Sequence, residues 1–453
     1  MTRHTKQPLP GAMSRRDFMV VSTLAAAGMA TGCATNPITG KRQLMFFNEN
    51  DEVGWDRESS PHQFSADYGA SPEAALNDYI AEVGNTITPH THRPNMPYNY
   101  RCVNASYVNA YTFPAGSMAT TRGILLNLQN EDELAALLGH EIAHVNARHT
   151  AEAMTKNLVI SGAVLLVALA VEAKTGEEEY TPWIMGLGAI GSGLLLAKYS
   201  RADEAEADKV GMNYMVRAGY SPEGMVGLMA MLKKLDGEKP WLVFRMFSSH
   251  PWGSDRYDAA VRRAGSRYAE ACQRPLRRER YMDMTASVRQ AKDLIEEIQK
   301  GDDALSDEKM DAALGHYGRA LRTVPDDYEA LLKMANAKLL QEKASEALNF
   351  SRKARAVYPS EPQACFMTGM VGLEMRRYDD ALDQFNEYAN LLPGNPMITY
   401  YQGRSYDGMG RKSDAAEQYA EFLKSIDSGE EAEYAKQRLI EWGYLEEDSE
   451  EEG

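Results

Sequence analysis

The stretch His140-Glu141-Ile142-Ala143-His144 holds the residue types of a metal-dependent hydrolase. On a helix, histidines four apart sit one turn from each other on one face, so both imidazoles can meet a single ion. Zn2+ takes nitrogen and oxygen donors of this kind in tetrahedral sites that keep one position open. Glu141 stands directly after the first histidine, beside that open position, and can take a proton from a water molecule there. A pentapeptide of this form also arises by chance, in which case two ordinary histidines decorate an amphipathic helix. The helix itself is well marked: Asn130, with Glu133 three residues on, reads as an N-cap and capping box ahead of Leu134, Leu137 and Leu138.

A third protein ligand is needed. The pattern that sets a glycine three residues after the second histidine and a further histidine three beyond it is excluded, because those positions hold Ala147 and Thr150. His149 falls five residues after His144, off the metal-facing stripe, and reads as structural. The missing ligand therefore comes from farther along the chain.

Asn36 to Gln43, Val108-Asn109-Ala110-Tyr111 with Pro114, and His140 to His149 together resemble the metallopeptidases of family M48, in particular their lipoprotein and periplasmic members, over roughly residues 36 to 260. The resemblance implies an α+β zincin-type domain, mainly helical with a small sheet, holding Zn2+. It also implies the third ligand. Within Ser200 to Asp208 lies the family's ExxxD pattern, which assigns Glu204 to the metal and Asp208 to a supporting carboxylate. Their i, i+4 spacing is compatible with those roles, and Glu206 points elsewhere. Without the resemblance, such an acidic run reads as a solvated helix face.

Ser249-His250-Pro251 and Arg256 resemble a further feature of the family. Two roles are open to His250: donating to the developing oxyanion, or binding zinc as a fourth ligand and shutting the site. Arg256 braces the site or the oxyanion, or else forms a surface salt bridge. Ser117 to Leu128 reads as a short strand running into the helix, a type of element that pairs with extended substrate through its backbone. Asn109 and Ala110 match the family's segment near the substrate edge.

At 453 residues the chain predicts two or three folded units. Its 49 Lys+Arg against 65 Asp+Glu, a formal charge of -16, argue against a nucleic-acid binder. Four cysteines without CxxC spacing offer neither a disulfide framework nor a cysteine zinc site. Near the start, Arg15-Arg16 ahead of the apolar run from Val20 to Ala30 resembles a twin-arginine export signal, with an ordinary secretory signal as the competing reading. Ala30-Thr31-Gly32-Cys33 resembles a lipobox, implying lipidation at Cys33, and Ala34 after it favours the outer membrane. The expectation is a lipoprotein on the periplasmic side of the cell envelope. Two apolar runs, Leu158 to Val171 and Trp183 to Ala197, are short for spanning and read as packed helices, a lid or a membrane-facing surface; a transmembrane hairpin competes.

Farther on a period emerges. Pro325, Pro359 and Pro393 are 34 apart; Ala313, Ala347, Ala381 and Ala415 keep the same step, as do Gly301, Ala335, Gly369 and Gly403. Tyr317, Phe385 and Tyr419 follow it, with Ser351 breaking the aromatic series. This is the tetratricopeptide period, an all-α solenoid of helix pairs. The divisions expected are an export signal over 1–32, a peptidase domain over 33–284, repeats over 285–445 and an acidic tail over 446–453. A concave repeat surface suits an unfolded polypeptide client, though the repeats could instead dock on the peptidase. The predicted function is a zinc endopeptidase acting on unfolded or misassembled envelope proteins, with the outer-membrane assembly machinery as a possible partner and a lipid anchor on the membrane. The competing function is a chaperone or assembly adaptor whose peptidase site His250 keeps shut.

Overall fold

The structure, a computed structural model, describes residues 33–156, 199–238 and 240–446, with the backbone alone for 33 and 240–243. The twin-arginine segment, both long apolar runs and all of the acidic tail beyond Glu446 lie outside the described residues. None of the described helices is long and apolar enough to cross a membrane.

Strands β1 (Cys33–Thr35) and β2 (Arg42–Leu44) form a small antiparallel ribbon, and helices α1 (Glu49–Ala66) and α2 (Ala74–Ile87) follow. Strands β3 (Asn99–Val103), β4 (Ala110–Thr112) and β5 (Ser117–Thr121) make a sheet in the order β3-β5-β4, with β3 parallel and β4 antiparallel to β5. The expected strand over Ser117 to Leu128 is therefore too long. It stops at Thr121, whose side chain accepts from the Ile124 amide and caps helix α3 (Arg122–Asn127). It also lies between two neighbours, so the edges of the sheet belong to β3 and β4.

Helix α4 (Glu131–Ala147) carries the HEIAH stretch and is buried along its whole length. It packs against α2, β4, α5 (Arg201–Arg217) and α6 (Glu223–Glu238). Asn130 caps it by accepting from the Glu133 amide, as expected, but the reciprocal arm differs: the Glu133 carboxylate accepts from the Gln129 amide and the Asn130 side chain. Helices α4 and α5 touch backbone to backbone. A Cβ on Gly211 would lie 2.7 Å from the carbonyl carbon of Gly139 and 2.8 Å from the His140 nitrogen. Gly211→Ala is therefore expected to destabilise the protein by about 1–3 kcal/mol in urea unfolding. Because it forces apart the helices that carry His140 and Glu204, it should weaken metal binding as well.

Helices α7 (Pro240–Ser249) and α8 (Ser254–Arg267) complete the surroundings of the site, and α9 (Arg278–Met284) and α10 (Ala286–Gln290) lead away from it. Then come four antiparallel pairs: α11 (Lys292–Ser306) with α12 (Met310–Thr323), α13 (Tyr328–Leu340) with α14 (Ala344–Val357), α15 (Gln363–Glu374) with α16 (Tyr378–Leu391), and α17 (Pro396–Gly408) with α18 (Lys412–Leu423). Helix α19 (Glu430–Glu441) ends the array, a tetratricopeptide-like all-helical region.

The packing explains the break in the aromatic series. A Cβ on Gly301 would meet the Tyr317 ring at 2.3 Å, on Gly369 the Phe385 ring at 2.6 Å and on Gly403 the Tyr419 ring at 2.7 Å. In the second pair the glycine position is Ala335, and the facing position shrinks to Ser351. An aromatic ring at the later position thus goes with a glycine at the earlier one, and where the ring is absent a methyl is tolerated there.

The repeats also close onto the rest of the chain. Tyr328, Leu331, Leu332 and Ala335 of α13 and Ala364, Met367 and Val371 of α15 share one core with Val103, Tyr111 and Phe113. Polar contacts reinforce it: Arg122 Nη1 meets Asp327 at 2.6 Å and Nη2 meets Glu329 at 3.0 Å, while Ser106 donates to Glu329 at 2.9 Å. That face of the second and third pairs is thus occupied by the sheet and its loops.

Candidate metal centre

Four side chains from three places in the chain converge. His140 and His144 project from one face of α4, Glu204 from the first turn of α5, and His250 from the residue after α7; one ligand atom of each lies within 4.8 Å of all the others, and all four are buried. The α5 turn is set by Ser200, which accepts from the Asp203 amide while Asp203 accepts from the Ser200 amide. His250 is held by its backbone N–H, which donates to Met246 O at 2.8 Å, and the preceding Ser249 carbonyl accepts from the Tyr199 amide.

The spacing tests whether a metal fits. With metal–ligand bonds near 2.0–2.1 Å, the edges of a tetrahedral zinc site are about 3.3 Å. His140 Nε2 and His144 Nε2 are 3.0 Å apart, and Glu204 lies 3.3 Å from His144 Nε2 and 3.5 Å from His140 Nε2. His250 Nδ1 lies 3.0 Å from Glu204 Oε1 and 3.5 Å from His140 Nε2. Nitrogen and oxygen donors with these separations suit a divalent ion. The donor set fits.

Behind the ligands stands a second layer. Asp208 Oδ1 approaches His140 Nδ1 to 3.0 Å, close though off the axis of the N–H. Arg256 grips Asp208 with two bonds of 2.8 Å and places Nη1 2.7 Å from Glu204 Oε2, so it is buried and shared by two carboxylates. Burial favours the neutral acid at Asp208, yet the Arg256 guanidinium holds it below the usual carboxylate range. At His144 burial depresses the pKa well below that of a free imidazole, favouring the neutral ligand form.

Glu141 is the exception. It is buried, neither oxygen has a hydrogen-bond partner among the described residues, and burial pushes its pKa up. It lies 3.9 Å from His250 Nε2. An unpartnered carboxylate beside a ligand cluster is available for proton transfer.

Of the other expected residues, Cys33 lies in β1, opposite Leu44, and Cys102, Cys272 and Cys365 are free. Asn109 precedes β4 and leaves its side-chain oxygen buried without a partner among the described residues. Sequence reasoning missed Tyr199, whose ring stacks on His144 with centroids 3.9 Å apart. It also missed the contact of His149 with His144. Tyr199 carries no motif, and only its place before the α5 cap hints at it.

The sequence profile of Peptidase family M48 matches residues 74–264. The chain is 33% identical over 187 residues to metalloprotease YcaL of Escherichia coli, covering 41% of this chain and 69% of that one. It is 27% identical over 199 residues to the beta-barrel assembly-enhancing protease of Yersinia pestis, covering 42% of this chain and 39% of that one. It is 25% identical over 274 residues to the Escherichia coli protein of that name, covering 56% of this chain and 53% of that one. The chain thus spans well under two thirds of the latter two relatives.

Proposed function

Because the chain belongs to peptidase family M48, we propose that it is a zinc-dependent endopeptidase in which His140, His144 and Glu204 hold the metal and Glu141 is the general base. The observation that carries this reading is the convergence of three donors beside a carboxylate with no other partner. Zinc held there supplies Lewis acidity, polarising the peptide carbonyl and making a water acidic enough to attack near neutral pH. Glu141 takes the proton released in the attack and passes it to the leaving amine. Asp208 orients His140, and Arg256 braces both Asp208 and Glu204.

Substrate enters along β4. In the antiparallel pair, Asn109 and Phe113 bond inward to β5, so by alternation Ala110 and Thr112 turn their backbone groups outward. No hydrogen bond among the described residues uses those groups, and β4 lies against α4. An extended polypeptide can add there as a further strand, which selects for unfolded chain rather than for a particular side chain.

His250 supports a resting, shut enzyme, because its Nδ1 stands where a fourth ligand would. In this reading the protein is anchored through Cys33 on the periplasmic side of the outer membrane. There it removes misassembled envelope proteins, in line with relatives named for enhancing beta-barrel assembly, and the free repeat surfaces recruit clients.

The test is cleavage of an unfolded polypeptide with zinc restored, comparing the parent with Glu141→Gln and His250→Ala. His250→Ala is expected to raise activity about 10-fold or more, the factor expected when a shut state holds nine molecules in ten. A His250 that served the oxyanion would instead lose about 100- to 1,000-fold on substitution. If the zinc-loaded parent and Glu141→Gln are equally inert while client maturation persists, the adaptor reading replaces this one.

A further inference from the structure

We propose that His149 is a positioning residue for the metal ligand His144, forming with Glu206 a relay that decides which nitrogen of His144 faces the metal. This rests on the zinc reading above.

His144 presents Nε2 to the cluster, 3.0 Å from His140 Nε2 and 3.3 Å from Glu204. Its other nitrogen, Nδ1, then carries the proton. The ring is fully buried, so that N–H needs an acceptor. The acceptor is His149 Nδ1, 3.0 Å away. Because that atom must offer a lone pair, the His149 proton sits on Nε2, which faces Glu206 Oε2 at 3.5 Å and Asp203 Oδ1 at 3.7 Å. Both carboxylates lie in the opening turns of α5, the helix that supplies Glu204. One short stretch therefore furnishes a ligand and the outer end of the relay behind another ligand.

The backbone is bent to allow this. In an unbroken helix a residue five positions on points well away from His144. Here α4 ends at Arg148, which adopts the left-handed conformation at φ 62, and helical turns resume at His149. Arginine rarely takes that conformation, and surrounding contacts must hold it. Arg148 Nε bonds Glu52 at 2.9 Å and Nη2 bonds Phe47 O at 2.7 Å. Glu52 is itself buried and paired with Arg93 at 2.6 Å. Tyr199 stacks on the His144 ring, its hydroxyl 3.0 Å from Thr150 Oγ1. Stacking thus sets the plane of the imidazole, and His149 sets its rotation.

The two histidine ligands are supported differently. His140 is backed by the carboxylate of Asp208, His144 by a neutral imidazole. Outer partners of metal-binding histidines are commonly carboxylates or backbone carbonyls, and losing one typically weakens metal binding 10- to 100-fold.

The test measures zinc affinity of the full chain by competition with a chromophoric chelator, with the absorption spectrum of the Co2+-substituted protein as a report on coordination. Asparagine can set its side-chain oxygen where Nδ1 of His149 lies, whereas glutamine matches Nε2. His149→Asn should bind zinc nearly as the parent does and keep its cobalt spectrum. His149→Leu and His149→Gln should lose about 10- to 100-fold, and Glu206→Gln should fall between. A merely structural role predicts that Asn and Gln behave alike, and that result, or parental affinity in His149→Leu, overturns the relay. A parent that bound no zinc would overturn the metal reading together with this one.

Discussion

Glu141→Gln is expected to lower peptide-bond cleavage by about 100- to 10,000-fold, the range for loss of a positioned general base, while zinc content stays at the parent level. Glutamine matches glutamate in shape but cannot take up a proton. Glu141 is not among the four side chains whose ligand atoms converge, so its loss leaves the donor set intact. The substitution also replaces a buried carboxylate that lacks a hydrogen-bond partner among the described residues with a neutral amide, so stability should not fall. Single-turnover cleavage of an unfolded polypeptide, with metal analysis of the same sample, checks both halves. Activity within a few-fold of the parent would remove Glu141 from the chemistry.

Arg256→Leu should show the second large effect, this time on stability. The guanidinium is buried and touches Glu204 and Asp208 together, so its removal strands two carboxylates away from water. Breaking a buried ion pair from one side costs about 3–5 kcal/mol, whereas losing an exposed pair costs about 0–1 kcal/mol. Urea unfolding of the metal-free protein therefore separates a brace from an incidental salt bridge. Arg256→Lys should recover only part of the loss, because an ammonium cannot fork onto Asp208 while also reaching Glu204. A loss under 1 kcal/mol in Arg256→Leu would dismiss the bracing role.

The readings that held were those encoded over a few residues. The spacing of His140 and His144, and Asn130 as the cap of α4, follow from helical periodicity and one side-chain hydrogen bond. The repeats were legible because each pair restates the same contact, down to the exchange of a glycine facing an aromatic for Ala335 facing Ser351. Where the reading failed, a local choice was balanced. Ser117 to Leu128 has the apolar residues for either a strand or a helix, and the Thr121 cap decides between them.

Composition and periodicity by themselves determined that there is a helix able to hold two imidazoles on one face, and that a helical array follows it. Only the tertiary structure decided that α5 crosses α4 at Gly139 and Gly211, bringing Glu204 to the two imidazoles, and that His250 arrives from a third place in the chain. It alone decided that a left-handed arginine turns His149 back toward His144 and that α13 and α15 bury a face against the sheet. The physical reason is range. A helix is specified by neighbours three and four residues apart, whereas these contacts join residues far apart in the chain or, for His149 and His144, depend on Arg148 being held by the distant Phe47 and Glu52, and they exist only once the packing that closes those loops is complete.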